Sequence, residues 1–486
     1  MLRRAVWLLS AALLLLPACR KQEPEELRLL DEETRSSRKY VNLFAFNVMD
    51  SDYLWREEIA PALEAWQNWE EPIGKIAEIR YKDARGNDID RWTLLTDDFA
   101  TLQGGVSGHT RTLGMDYQLY YTDQTCTRIC AVVTFAFAGS PAEKAGIGRG
   151  DVILTVDALE MTPDNYRDIV RDRLLGGGTV ALGLSGGRSV TLTAVDMYED
   201  PVHTALILER PDGKRIGYLH YTSFTVDSCE KLVEVFRSFT EAGIGDLVLD
   251  LRYNGGGYVS AENVLASMLA PLREVEAGSL FSREICGMTV TEDTREEQTF
   301  FKTAFTLRQN GLLTTLSTLG ANPDLPRLYV LVTRGSASAS ECLIGGLKPY
   351  MDVILIGERT YGKYCGGLLM SATNWLKSVR AYLSAKEYDT ALPYLDNWGI
   401  YMMYSRYADC NGVTLSMPDG IAPDVEVADD PLDGFTLGDP RETMLSTALG
   451  LIEGRTRSAE APRRAPLRPV AEDFRPRTSA LRVRLL

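Results

Sequence analysis

The spacing of apolar residues differs between three regions of this chain of 486 residues. Over residues 38–105 apolar positions recur mostly at helical spacing, and over 106–196 they form short runs that turn residues separate. Over 201–452 apolar runs of strand length alternate with amphipathic stretches of helix length, which is typical of a layered α/β domain. The pattern therefore predicts a multidomain α+β protein with a helical N-terminal region, a β domain and a layered α/β core.

Composition narrows the class of protein only a little. A hydrophobic fraction of 45% and a charged fraction of 24% are typical of globular domains, and the length suggests about three of them. The formal net charge of −15 argues against nucleic acid as a partner, because phosphate backbones bind clustered positive charge. After the N-terminus, no apolar stretch is long enough to cross a bilayer.

The two ends of the chain have compositions of their own. Residues 1–19 have the features of a signal peptide, two arginines before an apolar run, and residues 20–37 those of a charged tether. The signal ends in Leu-Pro-Ala-Cys, which resembles a bacterial lipobox and implies a lipid anchor on Cys19 in the cell envelope. An ordinary secretory signal is the alternative. Residues 455–486 are basic and lack apolar periodicity, so we expect a disordered tail.

Small residues are concentrated in one turn of the α/β region. The stretch 333–341 is Thr-Arg-Gly-Ser-Ala-Ser-Ala-Ser-Glu, between an apolar strand at 328–332 and a helical pattern. Backbone N–H groups at the start of a helix have no partner within the helix, so a serine there lies beside groups that can stabilise an oxyanion. Lys363 lies on the loop after the next apolar strand, at 353–356, from which a lysine can reach back towards Ser338. The sequence therefore predicts a serine–lysine catalytic pair.

Four segments, in order along the chain, resemble the carboxyl-terminal processing peptidases, a family of serine–lysine endopeptidases with an embedded PDZ domain. The segments are residues 139–154, 250–257, 333–363 and 420–424. The resemblance implies a ClpP/crotonase-like protease core for residues 201–452, a PDZ-like domain for 106–196 and a small helical cap for 38–105. A PDZ domain captures chain ends by adding a strand to its sheet edge. A purely structural β domain is the alternative.

The same resemblance assigns the reacting groups. The family's nucleophile is the middle serine of its Ser-Ala-Ser-Ala-Ser pattern, which falls on Ser338. The family's base is the lysine of its Thr-x-Gly-Lys loop, which falls on Lys363. The oxyanion hole is implied to combine the backbone N–H of Ala339 with one from residues 252–257, Arg-Tyr-Asn-Gly-Gly-Gly, which we call the glycine turn. We place this second donor at Gly256 by position.

One position departs from the family pattern. Many members carry a glutamine four residues after the lysine, which orients the lysine, and here Gly367 stands in that place. Glu341 and Tyr364 are candidates for the orienting group. If neither serves, the lysine is poorly positioned and activity is low.

The chemistry of the pair requires a neutral lysine. The pKa of a lysine must fall from about 10.4 before the amine can accept a proton from a serine, and burial lowers it. Lys363 lies between apolar segments at 354–356 and 368–370, which suits a buried pocket. Ser338 would then attack a peptide carbonyl and form an acyl-enzyme that water hydrolyses. Serine as a mere helix cap is the alternative.

Other reactive side chains do not form a second constellation. Cys126 and Cys130 lie four residues apart, but no second ligand pair accompanies them, so we expect no metal and no cofactor. The histidines are scattered, although His109 and His220 stay open as alternative bases. Cys365 is an alternative nucleophile, without a nearby histidine to make it a thiolate.

Three classes of function follow. The first is an envelope-anchored serine endopeptidase that acts on proteins or peptides selected through carboxyl-terminal or unfolded segments. The second is a catalytically weak or inactive lipoprotein that binds peptides through the same groove. The third is another serine hydrolase, but the Gly-x-Ser-x-Gly motif of α/β-hydrolases is absent because Ser336 stands where a glycine is needed. The sequence determines neither the oligomeric state nor the natural substrate.

Overall fold

The structure is a computed structural model, and it describes most of the chain. The described residues are 29–210, 212–286, 295–301, 305–309, 312–454, 468–470 and 482–484. None of the helices in these ranges is both long and apolar enough to cross a bilayer. The predicted signal peptide and Cys19 lie outside the described residues.

The N-terminal region is mostly helical, as the spacing of its apolar residues predicts. Its first helix begins at Glu32, inside the predicted tether, because the Asp31 side chain caps it by accepting a hydrogen bond from Thr34 N. Phe44 of this helix packs against Trp375, with ring centroids 5.5 Å apart, so the region shares the main hydrophobic core. The elements are α1 (Glu32–Asp52), α2 (Ala60–Ala65), α3 (Pro72–Ile79), β1 (Leu94–Thr96) and α4 (Phe99–Ser107).

A β domain with its own hydrophobic core follows. Its main sheet has the order β3-β4-β5-β7-β8, with β6 beside β5, while β2 pairs with β9. β7 and β8 pair as a hairpin across Gly186 and Gly187, as the β-forming runs on either side of these glycines predict. The elements are β2 (His109–Thr112), β3 (Met115–Tyr121), β4 (Ile129–Ala136), α5 (Pro141–Lys144), β5 (Val152–Val156), β6 (Leu159–Glu160), α6 (Tyr166–Ile169) continued by a π-helical turn (Val170–Leu174), β7 (Thr179–Leu184), a 3₁₀ turn (Ser185–Gly187), β8 (Ser189–Thr193) and β9 (Val195–Tyr198).

The remaining elements form an α/β domain around two sheets. In chain order they are β10 (Val202–Glu209), β11 (Arg215–Tyr221), α7 (Cys229–Ala242), β12 (Asp246–Asp250), β13 (Gly257–Tyr258), α8 (Val259–Leu269), α9 (Leu272–Ala277), β14 (Leu280–Cys286), β15 (Arg295–Thr299), β16 (Phe305–Gln309), β17 (Leu312–Leu316), β18 (Arg327–Val332), α10 (Ala339–Leu347), β19 (Asp352–Gly357), β20 (Cys365–Ser371), α11 (Ala372–Ser378), a 3₁₀ turn (Arg380–Tyr382), α12 (Ala385–Leu395), β21 (Gly399–Ala408), β22 (Val425–Glu426), α13 (Thr443–Ile452), β23 (Arg468–Pro469) and β24 (Arg482–Arg484).

The first of these sheets places the proposed site. Its order is β10-β11-β12-β18-β19-β22, and every pair from β11 onward is parallel. Because β12, β18 and β19 run in one direction, the loops that follow them meet at the same edge of the sheet, where ligands bind in α/β folds. These loops are the glycine turn, the serine turn and the Lys363 loop. The apolar strands predicted at 328–332 and 353–356 are confirmed as β18 and β19.

The second sheet joins distant parts of the chain. Its order is β13-β24-β20-β21-β14-β15, and β1 pairs antiparallel with β21. The N-terminal region therefore supplies an edge of the same sheet that contains the strand after Lys363. We expected residues 455–486 to lack regular structure, yet two short strands lie within them: β23 pairs with β3, and β24 lies between β13 and β20.

Candidate active site

Ser338 occupies a strained and buried turn between β18 and α10. Its φ of 61° and ψ of −111° are unusual for a residue with a side chain, and such conformations cost about 1–3 kcal/mol. The residue is fully buried, and its Oγ has no hydrogen-bond partner among the described residues. Strain and a buried, unbonded hydroxyl are unfavourable for stability, so they point to a functional role.

The three serines of the run have different surroundings. Ser336 Oγ donates to Leu251 O at 2.8 Å, and Ser340 Oγ donates to Asn254 O at 3.0 Å. Both therefore attach the serine turn to the glycine turn that follows β12. Ser338 alone of the three keeps a hydroxyl that no described residue binds. The structure thus distinguishes the middle serine, as the family resemblance implies.

Glu341 joins the serine turn to the Lys363 loop. Its carboxylate accepts hydrogen bonds from Ser338 N at 2.8 Å, Gly362 N at 2.7 Å, Lys363 N at 2.9 Å and Thr360 Oγ1 at 2.6 Å. Burial raises the pKa of this carboxyl to about 7, although the four donors oppose the shift. Glu341 therefore holds the backbones of both proposed catalytic residues in one place.

Tyr407 supplies a second link between the same two residues. Its Oη donates to Lys363 O at 2.6 Å and lies 3.2 Å from Ser338 O. Because Ser338 and Lys363 share the partners Glu341 and Tyr407, the backbones of the two residues lie close together.

The amine of Lys363 is enclosed by aromatic side chains. The residue is fully buried, and its Nζ donates to Tyr401 Oη at 2.9 Å. The same Nζ lies 4.9 Å from the centroid of the Tyr401 ring and 5.3 Å from that of Trp92. The side chain is therefore held at its tip as well as through its backbone.

Gly367 is the reason that Tyr401 can reach the lysine. A Cβ built on Gly367 would lie 2.2 Å from Tyr401 Cζ and 2.5 Å from its Oη, so the tyrosine ring fills the space that a side chain at 367 would need. Sequence reasoning missed Tyr401 and considered Glu341 and Tyr364 instead. Glu341 binds backbone groups, and the ring of Tyr364 packs edge-on against Trp92. The missing signal was the glycine itself, which leaves room for a large neighbour.

The glycine turn lies directly beside the serine turn, since Ala337 N donates to Asn254 O at 3.0 Å. Gly256 N donates to Asn254 Oδ1 at 2.9 Å, so that amide already has a partner within the turn. Gly257 has a φ of 144°, and a Cβ there would lie 2.3 Å from Phe224 O, so only glycine fits. Ala339 begins α10, where backbone N–H groups have no partner within the helix.

A buried ion cluster lies beneath the glycine turn. Arg252 donates to Asp250 Oδ2 and Glu442 Oε1, both at 2.7 Å, and to Asp429 Oδ1 at 3.0 Å. Arg149, from the β domain, binds Asp429 Oδ1 at 2.7 Å. Burial alone would raise the pKa of Asp429, but the two guanidinium groups outweigh it and hold that pKa at about 2. The cluster fixes the glycine turn and ties the β domain to it.

The alternative reacting groups lie elsewhere or are inert. His220 pairs with His203 through nitrogens 3.1 Å apart, and burial lowers the pKa of His220 to about 3. His109 Nε2 lies 2.7 Å from Asp227 Oδ2 at a partly exposed position. Because no described residue binds Ser338 Oγ, neither imidazole acts as its partner here. Burial raises the pKa of Cys365 well above its ordinary value, which makes this thiol unreactive.

Comparison with known proteins shows a similarity to one family of peptidases. Residues 215–427 match the model of peptidase family S41. This range includes the loops that carry Ser338 and Lys363. The structure resembles a crystal structure from Bacteroides fragilis assigned to the S41 proteases, with a TM-score of 0.60 and 23% identity, over 85% of this chain and 97% of that one. Over residues 215–427 the chain is therefore similar to peptidase family S41, and its fold is that of the Bacteroides fragilis structure.

The curated proteins to which the chain is similar include carboxyl-terminal-processing proteases. It is 24% identical over 324 residues to the carboxyl-terminal-processing protease of Picosynechococcus and 28% identical over 326 residues to that of Synechocystis. These matches cover 66% and 65% of this chain, and 66% and 64% of the two relatives, which is just under two thirds of their lengths.

Proposed function

We propose that this protein is a serine endopeptidase in which Ser338 is the nucleophile and Lys363 is the general base. The observation that carries the proposal is the environment of Ser338 Oγ. It is buried, unbonded by any described residue and held on a strained turn, at the same small site as a fully buried lysine. Ser338 is also the N-cap residue of α10, with Glu341 bonded back to its N–H, but a cap alone would require neither the strain nor the lysine.

In the proposed reaction, Ser338 Oγ attacks the carbonyl carbon of a peptide bond while its proton passes to Lys363 Nζ. The tetrahedral intermediate expels the amine, which takes the proton from Lys363, and an acyl-enzyme remains. Water then attacks the ester while Lys363 accepts its proton, and Lys363 passes that proton to Ser338 Oγ as the Oγ–acyl bond breaks and the acid leaves. Full burial favours the neutral amine that this role requires. The hydrogen bond between Nζ and Oγ forms when substrate is in place, as is common for catalytic hydrogen bonds.

The oxyanion would be stabilised by backbone N–H groups of the two neighbouring turns. Ala339 N is one donor, as the resemblance implies, and the glycine turn supplies the other. Gly256 remains our candidate for the second donor, and its use requires its bond to Asn254 Oδ1 to be shared or released. Removing such a donor costs roughly 10²–10³-fold in kcat.

Tyr401 is proposed to orient Lys363. It contacts Nζ directly, at 2.9 Å, and it occupies the space above Gly367 where many family members carry an orienting glutamine. The departure at Gly367 therefore need not mean that the site is inactive. Tyr401 acts through the lysine rather than on substrate, so it is a positioning residue.

Substrates are proposed to be proteins or peptides with carboxyl-terminal or unfolded segments. The β domain would act as the PDZ-like selector, since it has a helical segment at 166–174 and a sheet edge on β3 that can accept an added strand. A lipid on Cys19 would anchor the enzyme in the cell envelope.

The proposal is tested by cleavage of unfolded casein with the chain that starts after Cys19, beside Ser338→Ala and Lys363→Ala. We expect cleavage to fall by about 10⁴-fold or more in both variants, because the pair acts as a unit. Loss in Ser338→Ala alone would assign another base. Equal cleavage by all three would overturn the site, and an inactive parent would favour the peptide-binding alternative.

A further inference from the structure

Two stretches downstream of α13 lie against edges that a substrate of this enzyme would use. The first is 468–470, which adds a strand to the β domain. Arg468 pairs antiparallel with Tyr121, Pro469 pairs with Tyr120, and Val470 N donates to Leu119 O at 3.0 Å. Val470 is only 9% exposed and packs into the β-domain core. The β3 edge, on which a PDZ-like domain could take up a peptide, is therefore covered at this end by the chain itself.

The second stretch is β24, which lies in the protease core. Arg482 pairs with Gly257 and Val483 with Tyr258, in parallel with β13. On its other side, Val483 pairs with Gly367 and Arg484 with Leu368, in parallel with β20. The stretch is thus an inner strand, paired along both of its edges.

The position of this inner strand relates it to catalysis. β13 begins immediately after Gly256, in the turn proposed to bind the oxyanion, and β20 begins two residues after Lys363. An extended chain that pairs with both strands must therefore run beside the groups that would carry out the reaction. Pairing of this kind uses backbone hydrogen bonds, so it accepts many sequences. The gap between β13 and β20 is the natural path for the backbone of a substrate.

We propose that the downstream stretches, 468–470 and 482–484, occupy the substrate path of their own molecule and compete with substrate. This inference rests on the proposed function, because competition matters only if the path leads to Ser338. The substrate that would bind in these places is an extended peptide. Its backbone would pair antiparallel with β3 and parallel with β13 and β20, as the downstream stretches do. The segment that supplies it is basic, whereas the whole chain has a net charge of −15.

A test that does not depend on cleavage uses hydrogen–deuterium exchange on the Ser338→Ala variant of the chain that starts after Cys19. The amides of 482–484 should be protected. Adding Val483→Pro, which removes a backbone donor from an inner strand, should raise their exchange at least 10-fold, whereas the matched Val483→Ile should not. Fast exchange of 482–484 before any change would overturn the proposal. Protection that disappears on dilution would overturn the intramolecular version and assign the stretch to a second copy.

The kinetic test uses the active chain. We expect Val483→Pro to lower KM for an unfolded substrate at least five-fold with little change in kcat, and Val483→Ile to behave as the parent. A synthetic peptide of residues 478–486 should inhibit Val483→Pro competitively. Unchanged KM in a Val483→Pro protein of normal melting temperature would overturn the proposal.

If that variant melts early, a chain ending after Val470, which keeps β23, replaces it in the kinetic test with the same expected fall in KM. If the proposed function is wrong, no variant will cleave the substrate, but the predicted pattern of hydrogen exchange will still be observed. The two hypotheses can therefore be rejected independently.

Discussion

This protein contains two buried polar clusters beside the glycine turn, and they differ in how completely their polar groups are hydrogen-bonded. In the ion cluster around Arg252, three carboxylates surround two guanidinium groups, and its members bind one another at ordinary hydrogen-bond distances. At the serine site, the key hydroxyl has no described partner, and its backbone is strained. Buried polar groups are normally satisfied. The contrast agrees with the proposed roles, in which one cluster supports the loops and the other carries out the reaction.

The largest expected effect is a loss of stability when the ion cluster is disrupted. Arg252→Met would leave Asp250, Asp429 and Glu442 with a single buried cation, Arg149. Removing one partner of a buried ion network costs about 3–5 kcal/mol, because charges stay buried without compensation. We expect a loss of that size in the free energy of unfolding, measured by urea denaturation.

The matched control for that loss is Arg273→Met. Arg273 pairs with Glu274 at 3.0 Å, but its side chain is 78% exposed, so the change should cost less than about 1 kcal/mol. A similar cost for both variants would contradict the structural role given to the cluster.

The two clusters should also respond to pH in opposite directions. The pKa of Glu341 is raised to about 7 from an ordinary 4.5, so the folded state binds its proton more tightly than the unfolded state. Its contribution to stability is complete below pH 4.5 and is lost as the pH rises through 7. The pKa of Asp429 is lowered from 3.8 to about 2, so its contribution is present above pH 3.8 and is lost as the pH falls through 2.

Urea titrations at pH 5 and pH 8 measure the first of these effects. We expect the free energy of unfolding to fall by roughly 2–3 kcal/mol over this interval from Glu341 alone. Glu341→Gln should abolish that part of the slope, while lowering stability at pH 5 because an amide NH₂ replaces one of the two oxygens that accept from the four donors. An unchanged slope in Glu341→Gln would show that another group titrates.

A smaller effect, on kcat, tests whether Tyr401 positions Lys363. Tyr401→Phe removes the hydroxyl that contacts Lys363 Nζ, and we expect kcat to fall about 10–100-fold with KM unchanged, since general base catalysis contributes about 10²–10⁴-fold and the lysine itself remains. Gly367→Gln alone should be inactive, because its side chain would collide with the Tyr401 ring.

The double variant Gly367→Gln with Tyr401→Ala sharpens that test. Removing the ring makes room for the glutamine, which many relatives use to orient their lysine, so part of the lost kcat should return. Activity in the double variant no higher than in Tyr401→Ala alone would reject the exchange of roles between the two positions.

The smallest expected effect concerns the strain at Ser338. Glycine adopts a φ of 61° without penalty, so Ser338→Gly should be more stable than Ser338→Ala by about 1 kcal/mol, while both lack activity. Differential scanning calorimetry of the two inactive variants measures the difference. Equal melting temperatures would mean that the turn stores no strain.

Sequence reasoning located the loops of the proposed site because local patterns specify them. Apolar runs with β-forming residues predicted β18 and β19, and the residues that follow such strands meet at one edge of a parallel sheet. Ser338 and Lys363 could therefore be placed from short stretches of sequence. The hairpin of β7 and β8 was predictable for the same reason, since its glycine turn lies between two alternating runs.

Other members of the site could not be predicted, because long-range pairing brings them in. Tyr401 reaches Lys363 only through the antiparallel register of β20 and β21, which sets Leu369 opposite it. Asp429 and Glu442 lie in loops that carry no pattern of their own. The strands at 468–469 and 482–484 have few strongly β-forming residues, and their structure comes from the sheet edges that accept them.

The pairing of β1 with β21 has a consequence for how this protein folds. Leu94 lies opposite Tyr401, so one edge of the sheet beside the lysine joins residues about three hundred positions apart. Such contacts form late, since a long loop must close before they gain any energy. Trp92, just before β1, and Tyr401 both enclose Lys363 Nζ. The amine can therefore be enclosed only after both Trp92 and Tyr401 have been synthesised and packed, so the proposed activity would begin only when this long-range pairing is complete.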